Sequence, residues 1–279
     1  MKEDAMDSVI EAALKEDLPR GDITSESIIS EESRSEAVIL AKEEGVLAGM
    51  DVAQRVFAKI DAGVEFRKTK EDGQRFNAGE RLAVIRGSSI SILKGERTAL
   101  NFLQRMCGIA TKTWRFVQAL EGTKTKILDT RKTTPGLRAL EKYAVKMGGG
   151  KNHRRNLSEM VMIKDNHLKL AGSISEAVEK AKERIEPGIK VEVEATTLDE
   201  VKEAVRSGAD MVMLDNMSLQ SMREVVEWVK GKVPLEVSGK VSLDRIREIA
   251  ALGVDFISVG SLTHSYRSVD ISIEFTGEL

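Results

Sequence analysis

The feature that most restricts the fold of this 279-residue chain is a regular alternation of short apolar runs and amphipathic segments in its second half. Six runs of strand-like character lie at 126–128, 160–163, 191–193, 211–214, 234–237 and 256–259. Helices are predicted between them at 137–147, 174–185, 198–207, 219–229 and 243–252. This alternation indicates βαβ units and a parallel sheet. Because no glycine-rich dinucleotide motif opens the first unit, an incomplete six-stranded barrel is favoured over an open wound sheet.

The first hundred residues have a different rhythm, which is typical of α+β structure. Predicted helices at 8–18 and 51–60 are interspersed with strand-like runs at 37–41, 63–66 and 81–85. Apolar residues at three- and four-residue spacing then predict a long helix at 92–120. The chain is therefore expected to contain two parts of different architecture.

Composition narrows the class of protein. Hydrophobic residues make up 41% of the chain and charged residues 32%, which suits a globular enzyme with a substantial core. No apolar run approaches the about 20 residues needed to cross a bilayer, and the charged first residues do not form a secretory signal. A cytoplasmic location without a membrane partner is therefore expected. The single cysteine, Cys107, can form neither an intramolecular disulfide nor a Cys-based zinc site and is predicted to be buried.

Charge is concentrated in one segment. Residues 131–167 contain nine basic and three acidic side chains, a net charge of +6 in a chain whose total is −2. A local cationic block in a mildly acidic protein indicates a small polyanionic ligand, since nucleic-acid binding usually makes a whole domain basic. No nucleic-acid partner is expected.

Polar residues follow each of the six predicted strands. The first two endings are cationic, the next two contain carboxylates, and the last two consist of small residues. In chain order they are Asp129-Thr130-Arg131-Lys132, Lys164-Asp165-Asn166-His167, Glu194, Asp215-Asn216, Ser238-Gly239 and Gly260-Ser261. Barrel enzymes carry their chemistry at the carboxyl ends of the strands, so these residues are expected to form one site.

The chemistry of these endings favours a ligand with several negative charges. Arginine grips planar carboxylates through paired hydrogen bonds, and small residues after the last strands can expose N–H groups to phosphate. Glu194 and Asp215, facing such a cradle, suit Mg²⁺ and ribose hydroxyls. A Schiff base on Lys132 or Lys164, as in a sugar-phosphate lyase, is the competing hypothesis. It does not explain the number of cations.

Several long motifs resemble the signature of the quinolinate phosphoribosyltransferase family (nicotinate-nucleotide pyrophosphorylase, carboxylating). The central runs lie at 130–138, 141–145, 148–154 and 163–167, and further matches lie at 16–18, 21–24, 95–101 and 258–265. The resemblance covers nearly the whole chain in order. It implies an N-terminal open α/β sandwich domain at 1–104, completed by 266–279, and an incomplete six-stranded TIM-like α/β barrel at 105–265.

The resemblance also implies roles for individual residues. Lys132, Lys164, Glu194 and Asp215 are the implied catalytic residues, and Glu194 and Asp215 the implied ligands of Mg²⁺, directly or through water. The implied substrate-binding residues are Arg97, Arg131, Lys132, His153, Arg154, Lys164, Glu194, Asp215, Ser238, Gly239 and Gly260. The implied assembly is a homodimer or higher homo-oligomer, in which Arg97 serves the neighbouring subunit's site. Lys240 departs from the pattern, since some members have glycine or another small residue there.

The implied reaction joins quinolinate to phosphoribosyl pyrophosphate and yields nicotinate mononucleotide, pyrophosphate and carbon dioxide, a step of de novo NAD biosynthesis. Two alternatives remain open beside the lyase. A paralogous phosphoribosyltransferase could act on another aromatic acid, although the combination of Arg131, His153, Arg154 and Lys164 argues for a diacid. A non-catalytic anion-binding protein would keep the cations but would not need Glu194 and Asp215.

Overall fold

The computed structural model describes residues 3–279, so Met1 and Lys2 of the charged start lie outside the described range. The helices are α1 (Glu3–Asp17), α2 (Ile23–Ile28), α3 (Met50–Ile60), α4 (Ser89–Ala119), α5 (Arg138–Met147), α6 (Asp165–Ala171), α7 (Ile174–Arg184), α8 (Leu198–Arg206), α9 (Leu219–Val229), α10 (Ile246–Ala251) and α11 (Ser261–His264). The strands are β1 (Arg34–Ala41), β2 (Gly45–Val46), β3 (Glu65–Lys68), β4 (Arg75–Phe76), β5 (Arg81–Ser88), β6 (Lys126–Leu128), β7 (Val161–Ile163), β8 (Val191–Ala195), β9 (Met211–Asp215), β10 (Leu235–Ser238), β11 (Phe256–Ser258) and β12 (Ile271–Glu278).

Internal contacts divide the chain into two compact units. Unit 1 contains the chain up to Trp114 together with Thr133–Gly149 and Ser261–Leu279, and unit 2 contains Arg115–Lys132 and Gly150–Gly260. This division assigns α5 to unit 1, whereas the sequence-based boundaries placed it in the barrel domain. The boundaries 1–104 with 266–279, and 105–265, stay a prediction about domains.

Unit 1 is built on a four-stranded antiparallel sheet with the order β12-β1-β5-β3. Strand β1 lies in the middle because five of its eight side chains are buried, which requires partners on both edges and cover on its faces. Strand β12 comes from the end of the chain and pairs antiparallel with β1, as the family resemblance implied. Gln104 on α4 holds this segment, donating from Nε2 to the Ile271 carbonyl at 2.7 Å.

The packing inside unit 1 explains two features of the sequence. A Cβ at Gly108 of α4 would lie 2.3 Å from the Arg267 carbonyl oxygen, so only glycine allows this close approach. Cys107, the neighbouring residue, is buried as predicted. Burial raises the pKa of its thiol to about 12, which makes it an inert core residue.

Unit 2 is built on a six-stranded parallel sheet with the order β6-β11-β10-β9-β8-β7. The first strand in the chain therefore pairs with the last, and each of the others pairs with its neighbour in sequence. Within the described residues the circle lacks only a pairing between β6 and β7, which is the topology expected of an incomplete barrel. Lys151 forms a parallel bridge with Leu128 beside β6 and lies at this gap. The fold class predicted from the sequence is confirmed.

The strands of unit 2 are mostly apolar because helices cover their outer faces. Helix α7 contacts β7 and β8, and α8 contacts β8 and β9. Each of these helices begins with a hydroxyl N-cap: Ser173 Oγ accepts from Glu176 N–H, and Thr197 Oγ1 accepts from Glu200 N–H. Across residues 3–279, no helix combines the length and the apolar character that a membrane span requires.

Candidate active site

A cavity of about 680 Å³ opens among the carboxyl ends of the strands of unit 2. Its lining combines cations, carboxylates and small polar groups. It consists of Thr130, Arg131, Lys132, His153, Arg154, Met162, Lys164, Glu194, Met213, Asp215, Asn216, Glu236, Ser238, Gly239, Lys240 and Ser258. A cavity of this size accommodates a small ligand with several polar attachment points.

Strand geometry explains why these side chains meet. Side chains two residues apart on a strand point to the same face, so Met213 and Asp215 both point inward. The parallel register places Glu236 beside Met213 and Ser238 beside Asp215. The inward positions therefore form two layers: a deeper layer that contains Met213 and Glu236, and a rim that contains Asp215 and Ser238.

The cationic side of the cavity is formed by Arg131, Lys132, Arg154 and Lys164. Arg154 is half-buried, and its Nη1 donates to the Met160 carbonyl at 2.9 Å. Burial, and then the charge of Arg131, lower the pKa of Arg154, although the Glu192 carboxylate partly opposes this. The two guanidinium groups repel each other, and a ligand that carries more than one carboxylate would relieve this repulsion by pairing with both.

The carboxylate side of the cavity is formed by Glu194 at the end of β8 and Asp215 at the end of β9. Lys164 Nζ donates to Glu194 Oε2 at 2.6 Å, and Asn216 Nδ2 donates to Asp215 Oδ2 at 2.8 Å. A Schiff-base lysine is activated by an apolar pocket or a neighbouring cation, whereas Lys164 contacts a carboxylate, which counts against the lyase hypothesis. Both carboxylates are half-buried and line the cavity, so oxygen ligands for Mg²⁺ are present on this side.

The segment after β10 has an unusual backbone. Gly239 has φ +95°, and a Cβ there would lie 2.3 Å from Asn216 Oδ1. Lys240 has φ 46° and Asn216 has φ 52°, in a left-handed region that side chains other than glycine rarely adopt. Backbone outliers cluster at functional sites, where the surrounding structure maintains them. Glycine at position 240 would adopt this conformation without strain, which is a physical reason for the small residue found in some family members.

The helix that follows this segment starts later than predicted. A helix was predicted over residues 243–252. Helix α10 begins only at Ile246. The left-handed residue Lys240 and the turn at 243–245 precede the helix.

A buried cluster beneath the rim was not predicted from the sequence. It consists of His153, Glu192 and Glu236, and both carboxylates are fully buried. His153 Nε2 lies 3.0 Å from Glu192 Oε2 and 3.4 Å from Glu236 Oε2. Burial raises the pKa of both glutamates, and the charge of Glu192 raises that of Glu236 further. A signal was present, because a single glutamate interrupts each of the predicted apolar runs at 191–193 and 234–237.

The segment that carries His153 is anchored by Asp129, which directly follows β6. Asp129 is fully buried, and it accepts hydrogen bonds from the Asn152 side chain at 2.6 Å and from the His153 backbone N–H at 2.8 Å. The preceding glycines form the turn that lets Lys151 run alongside β6. The cationic motif 151–154 thus reaches the cavity because a buried aspartate holds its backbone.

The structure brings together most of the residues singled out in the sequence. Nine of the eleven line the cavity: Arg131, Lys132, His153, Arg154, Lys164, Glu194, Asp215, Ser238 and Gly239. The other two, Arg97 and Gly260, are not among the described residues that line the cavity. Arg97 is exposed on α4 of unit 1, and Gly260 lies two residues beyond the end of β11.

Comparison with known proteins identifies the family. The chain matches the family model of the quinolinate phosphoribosyl transferase N-terminal domain over residues 22–107 and that of the C-terminal domain over residues 109–274. A probable nicotinate-nucleotide pyrophosphorylase (carboxylating) from Bacillus subtilis is 43% identical over 261 residues, which cover 94% of this chain and 90% of that protein. A protein of the same name from Synechocystis is 40% identical and covers 96% of this chain and 92% of its own length. The crystal structure of NadC from Streptococcus pyogenes has a TM-score of 0.95 at 41% identity, covering 99% of both chains. The two domain matches and these full-length similarities together establish that the chain belongs to the quinolinate phosphoribosyltransferase family.

Proposed function

We propose that this protein converts quinolinate and phosphoribosyl pyrophosphate into nicotinate mononucleotide, pyrophosphate and carbon dioxide, a step of de novo NAD biosynthesis. The observation that carries the proposal is the division of one cavity into a cationic side and a carboxylate side. Family membership, and the names of the relatives from Bacillus subtilis and Synechocystis, support the same activity. The enzyme is thus a phosphoribosyltransferase of the decarboxylating type.

The cationic side suits the aromatic diacid. Quinolinate has two adjacent carboxylates on a planar ring, and Arg131 and Arg154 can bind them with paired hydrogen bonds. Lys164 adds a third positive charge at the edge of the cavity. A monoacid such as nicotinate would leave one of these half-buried cations without a carboxylate partner, at a cost of about 1–3 kcal/mol.

The opposite side suits the ribosyl donor. The left-handed backbone at Gly239 and Lys240 exposes N–H groups to the 5′-phosphate, as small residues and turns do in other anion sites. Glu194 and Asp215 lie where ribose hydroxyls can donate to them. These two carboxylates, together with the pyrophosphate of the donor, would hold Mg²⁺, because magnesium usually takes only one or two protein carboxylates when phosphates are present.

The reaction has two steps. The quinolinate nitrogen forms a bond to the anomeric carbon while the bond to pyrophosphate breaks, and pyrophosphate leaves with the electron pair. The ring becomes a pyridinium, so the bond to the 2-carboxylate can break with its electrons held in the ring. Carbon dioxide leaves, and the ring carbon takes up a proton.

The residues of this chain contribute mainly position and fixed charge. Lys132 stabilises the negative charge that accumulates on the leaving pyrophosphate, and Glu194 and Asp215 stabilise the positive charge that develops on the ribose. Bound Mg²⁺ adds charge neutralisation of the leaving group. The guanidinium groups of Arg131 and Arg154 hold the diacid against the anomeric carbon.

We further infer that the working enzyme is a homodimer or a higher homo-oligomer in the cytoplasm. Arg97 is exposed on α4, and it is not among the described residues that line the cavity of its own chain. Both observations suit a residue that acts on the neighbouring subunit's site. The neighbouring Thr98, Ala99 and Leu100 are buried, so the helix presents Arg97 outward.

The test is direct. Purified protein is incubated with phosphoribosyl pyrophosphate, Mg²⁺ and either quinolinate or nicotinate, and nicotinate mononucleotide and carbon dioxide are measured. We expect turnover of quinolinate with one carbon dioxide per nucleotide, and a kcat/KM for nicotinate that is lower by about 5- to 150-fold or more. Equal use of the two acids would indicate the paralogous alternative, a phosphoribosyltransferase for another aromatic acid.

A further inference from the structure

The side chain of His153 is engaged at both ring nitrogens. Nδ1 lies 2.7 Å from the backbone nitrogen of Arg154, whose N–H points at it. Nε2 lies 3.0 Å from Glu192 Oε2 on β8 and 3.4 Å from Glu236 Oε2 on β10. The ring therefore contacts its own loop through Nδ1 and two strands, β8 and β10, through Nε2.

These contacts determine where the ring proton resides. A backbone N–H can only donate, so Nδ1 must be the unprotonated acceptor. The single proton of the neutral imidazole is then on Nε2, where it is donated to the Glu192 carboxyl group. The structure thus selects one tautomer of His153 by hydrogen bonding alone.

The same contacts argue against a metal ion at this cluster. The three side chains bring one potential ligand atom each to within 4.8 Å of one another, which resembles a metal site. A metal on Nε2 requires that nitrogen to have a free lone pair, which moves the proton to Nδ1. Nδ1–H would then face the Arg154 N–H, donor against donor, at 2.7 Å. The contacts therefore favour a hydrogen bond from His153 Nε2–H to Glu192 over a metal ion on Nε2.

The cluster is rigid because its members are buried and come from separate segments of the chain. Asp129, Glu192 and Glu236 are fully buried, and His153 is 9% exposed. Asp129 holds the backbone of His153, Glu192 is hydrogen-bonded to its ring, and Glu236 Oε2 packs against Nε2 at 3.4 Å. A side chain fixed at its backbone and at both ring nitrogens cannot rotate without breaking several buried hydrogen bonds.

We propose that Glu192 is a positioning residue that locks His153 as the Nε2–H tautomer, with Glu236 packed against the same nitrogen, so that His153 shapes the diacid half of the cavity without exchanging protons with the ligand. The lock also holds the Arg154 N–H, and with it the backbone from which the Arg154 side chain extends into the cavity. The role in diacid binding rests on the proposed function. The tautomer itself does not.

The tautomer can be read directly by NMR. The chain contains three histidines, so long-range proton–nitrogen spectra of protein labelled with ¹⁵N-histidine contain few signals. His167→Asn and His264→Asn variants identify the signals of His153 by elimination. Without substrates near neutral pH, we expect a pyridine-like Nδ1 and a pyrrole-like Nε2. An Nδ1–H tautomer or a doubly protonated ring would overturn the proposal.

Substitutions of Glu192 separate positioning from general stability. Glu192→Gln keeps a carbonyl that can accept from Nε2–H, whereas Glu192→Leu removes the acceptor. We expect Glu192→Leu to raise the KM for quinolinate about tenfold or more, as is usual when a supporting hydrogen-bond partner is lost. The KM for phosphoribosyl pyrophosphate should stay within about twofold, and Glu192→Gln should restore most of the quinolinate affinity.

The control is Glu183→Leu on the exposed face of α7, which should leave both KM values unchanged. Equal effects of the Gln and Leu variants, or a parallel rise in both KM values, would contradict a positioning role. If Glu192→Leu does not fold, the Gln variant and the tautomer spectrum still decide. If the unsubstituted protein turns over no quinolinate, the proposed function fails while the spectrum still tests the lock.

Discussion

The assignment of Arg154 to the diacid leads to a prediction in which binding and stability respond differently. Arg154→Met keeps a long side chain but removes the charge and all donors. Arg155 offers a matched control, because it is the next residue, carries the same charge, is exposed and does not line the cavity. Arg155→Met removes one positive charge from the same segment.

The magnitude follows from the contacts of Arg154. A hydrogen bond to a charged group contributes about 1.5–3 kcal/mol, so loss of the guanidinium should weaken quinolinate binding about 10- to 150-fold. Stability has two opposing contributions. The bond to the Met160 carbonyl is lost, at about 0.5–1.5 kcal/mol, whereas an unfavourable buried charge beside Arg131 is removed. We therefore expect the free energy of unfolding to change by no more than about 1 kcal/mol.

The assay combines calorimetric titration of quinolinate into the free enzyme, steady-state kinetics in both substrates, and thermal denaturation. Arg154→Met should lose quinolinate affinity while keeping its melting temperature and its KM for the ribosyl donor. Arg155→Met should resemble the unchanged protein in all three measurements. The reasoning is refuted if both variants lose affinity equally, since a general field of positive charge would then be responsible, or if Arg154→Met binds quinolinate normally.

Three further predictions follow from the carboxylates and from Arg97. Asp215→Asn should raise the KM for phosphoribosyl pyrophosphate and lower kcat, while quinolinate binding to the free enzyme stays the same or strengthens because a nearby negative charge is gone; lost quinolinate binding with normal donor kinetics would assign Asp215 to the other half of the site. Arg97→Ala should abolish turnover, and mixing it with Lys164→Ala should restore part of it by subunit exchange; no recovery despite proven exchange would count against a shared site. Glu236 has a pKa raised to about 8 from an ordinary 4.5, so its contribution to stability is fully present below 4.5 and is lost as pH rises to about 8. Glu236→Gln, which cannot ionise, should gain melting temperature relative to the unchanged protein across that window, and a constant difference between about pH 5 and pH 8 would be inconsistent with a buried ionising carboxyl.

Much of the fold could be read from local patterns in the sequence. The strand at 126–128 and the helix at 219–229 coincide with β6 and α9, and the other barrel elements differ only near their ends. This succeeded because a parallel strand covered on both faces is continuously apolar, and an amphipathic helix repeats its apolar positions every three or four residues. Both signals depend only on residues close together in the chain.

Helix α6 was not predicted, and the reason is again local. It begins at Asp165 directly after the predicted strand end, and none of its residues is buried. Without an apolar face it has no helical periodicity to detect. Lys164 precedes the helix, and the backbone N–H of Lys164 donates to His167 Nδ1 at 3.0 Å. This contact stabilises the first turn of the helix.

The candidate site was partly determined by the sequence. The rule that parallel strands carry functional residues at their carboxyl ends identified Lys164, Glu194, Asp215 and Ser238, since each follows or ends an apolar run. The sequence alone also determined the charge of the two sides, because the cations come from one continuous segment and the carboxylates from the next two strands.

Only the tertiary structure decided what lies beneath that rim. Glu192 and Glu236 belong to strands separated by β9, and His153 comes from the loop beside β6. The distance between the two glutamates depends on the register of the pairings β8–β9 and β9–β10 and on the curvature that turns the inner faces of β8 and β10 toward one point. No local pattern encodes that curvature, because it arises from the packing of the whole sheet. The sequence therefore determined which groups could act on a charged ligand, whereas the closure of the barrel decided how His153 is held.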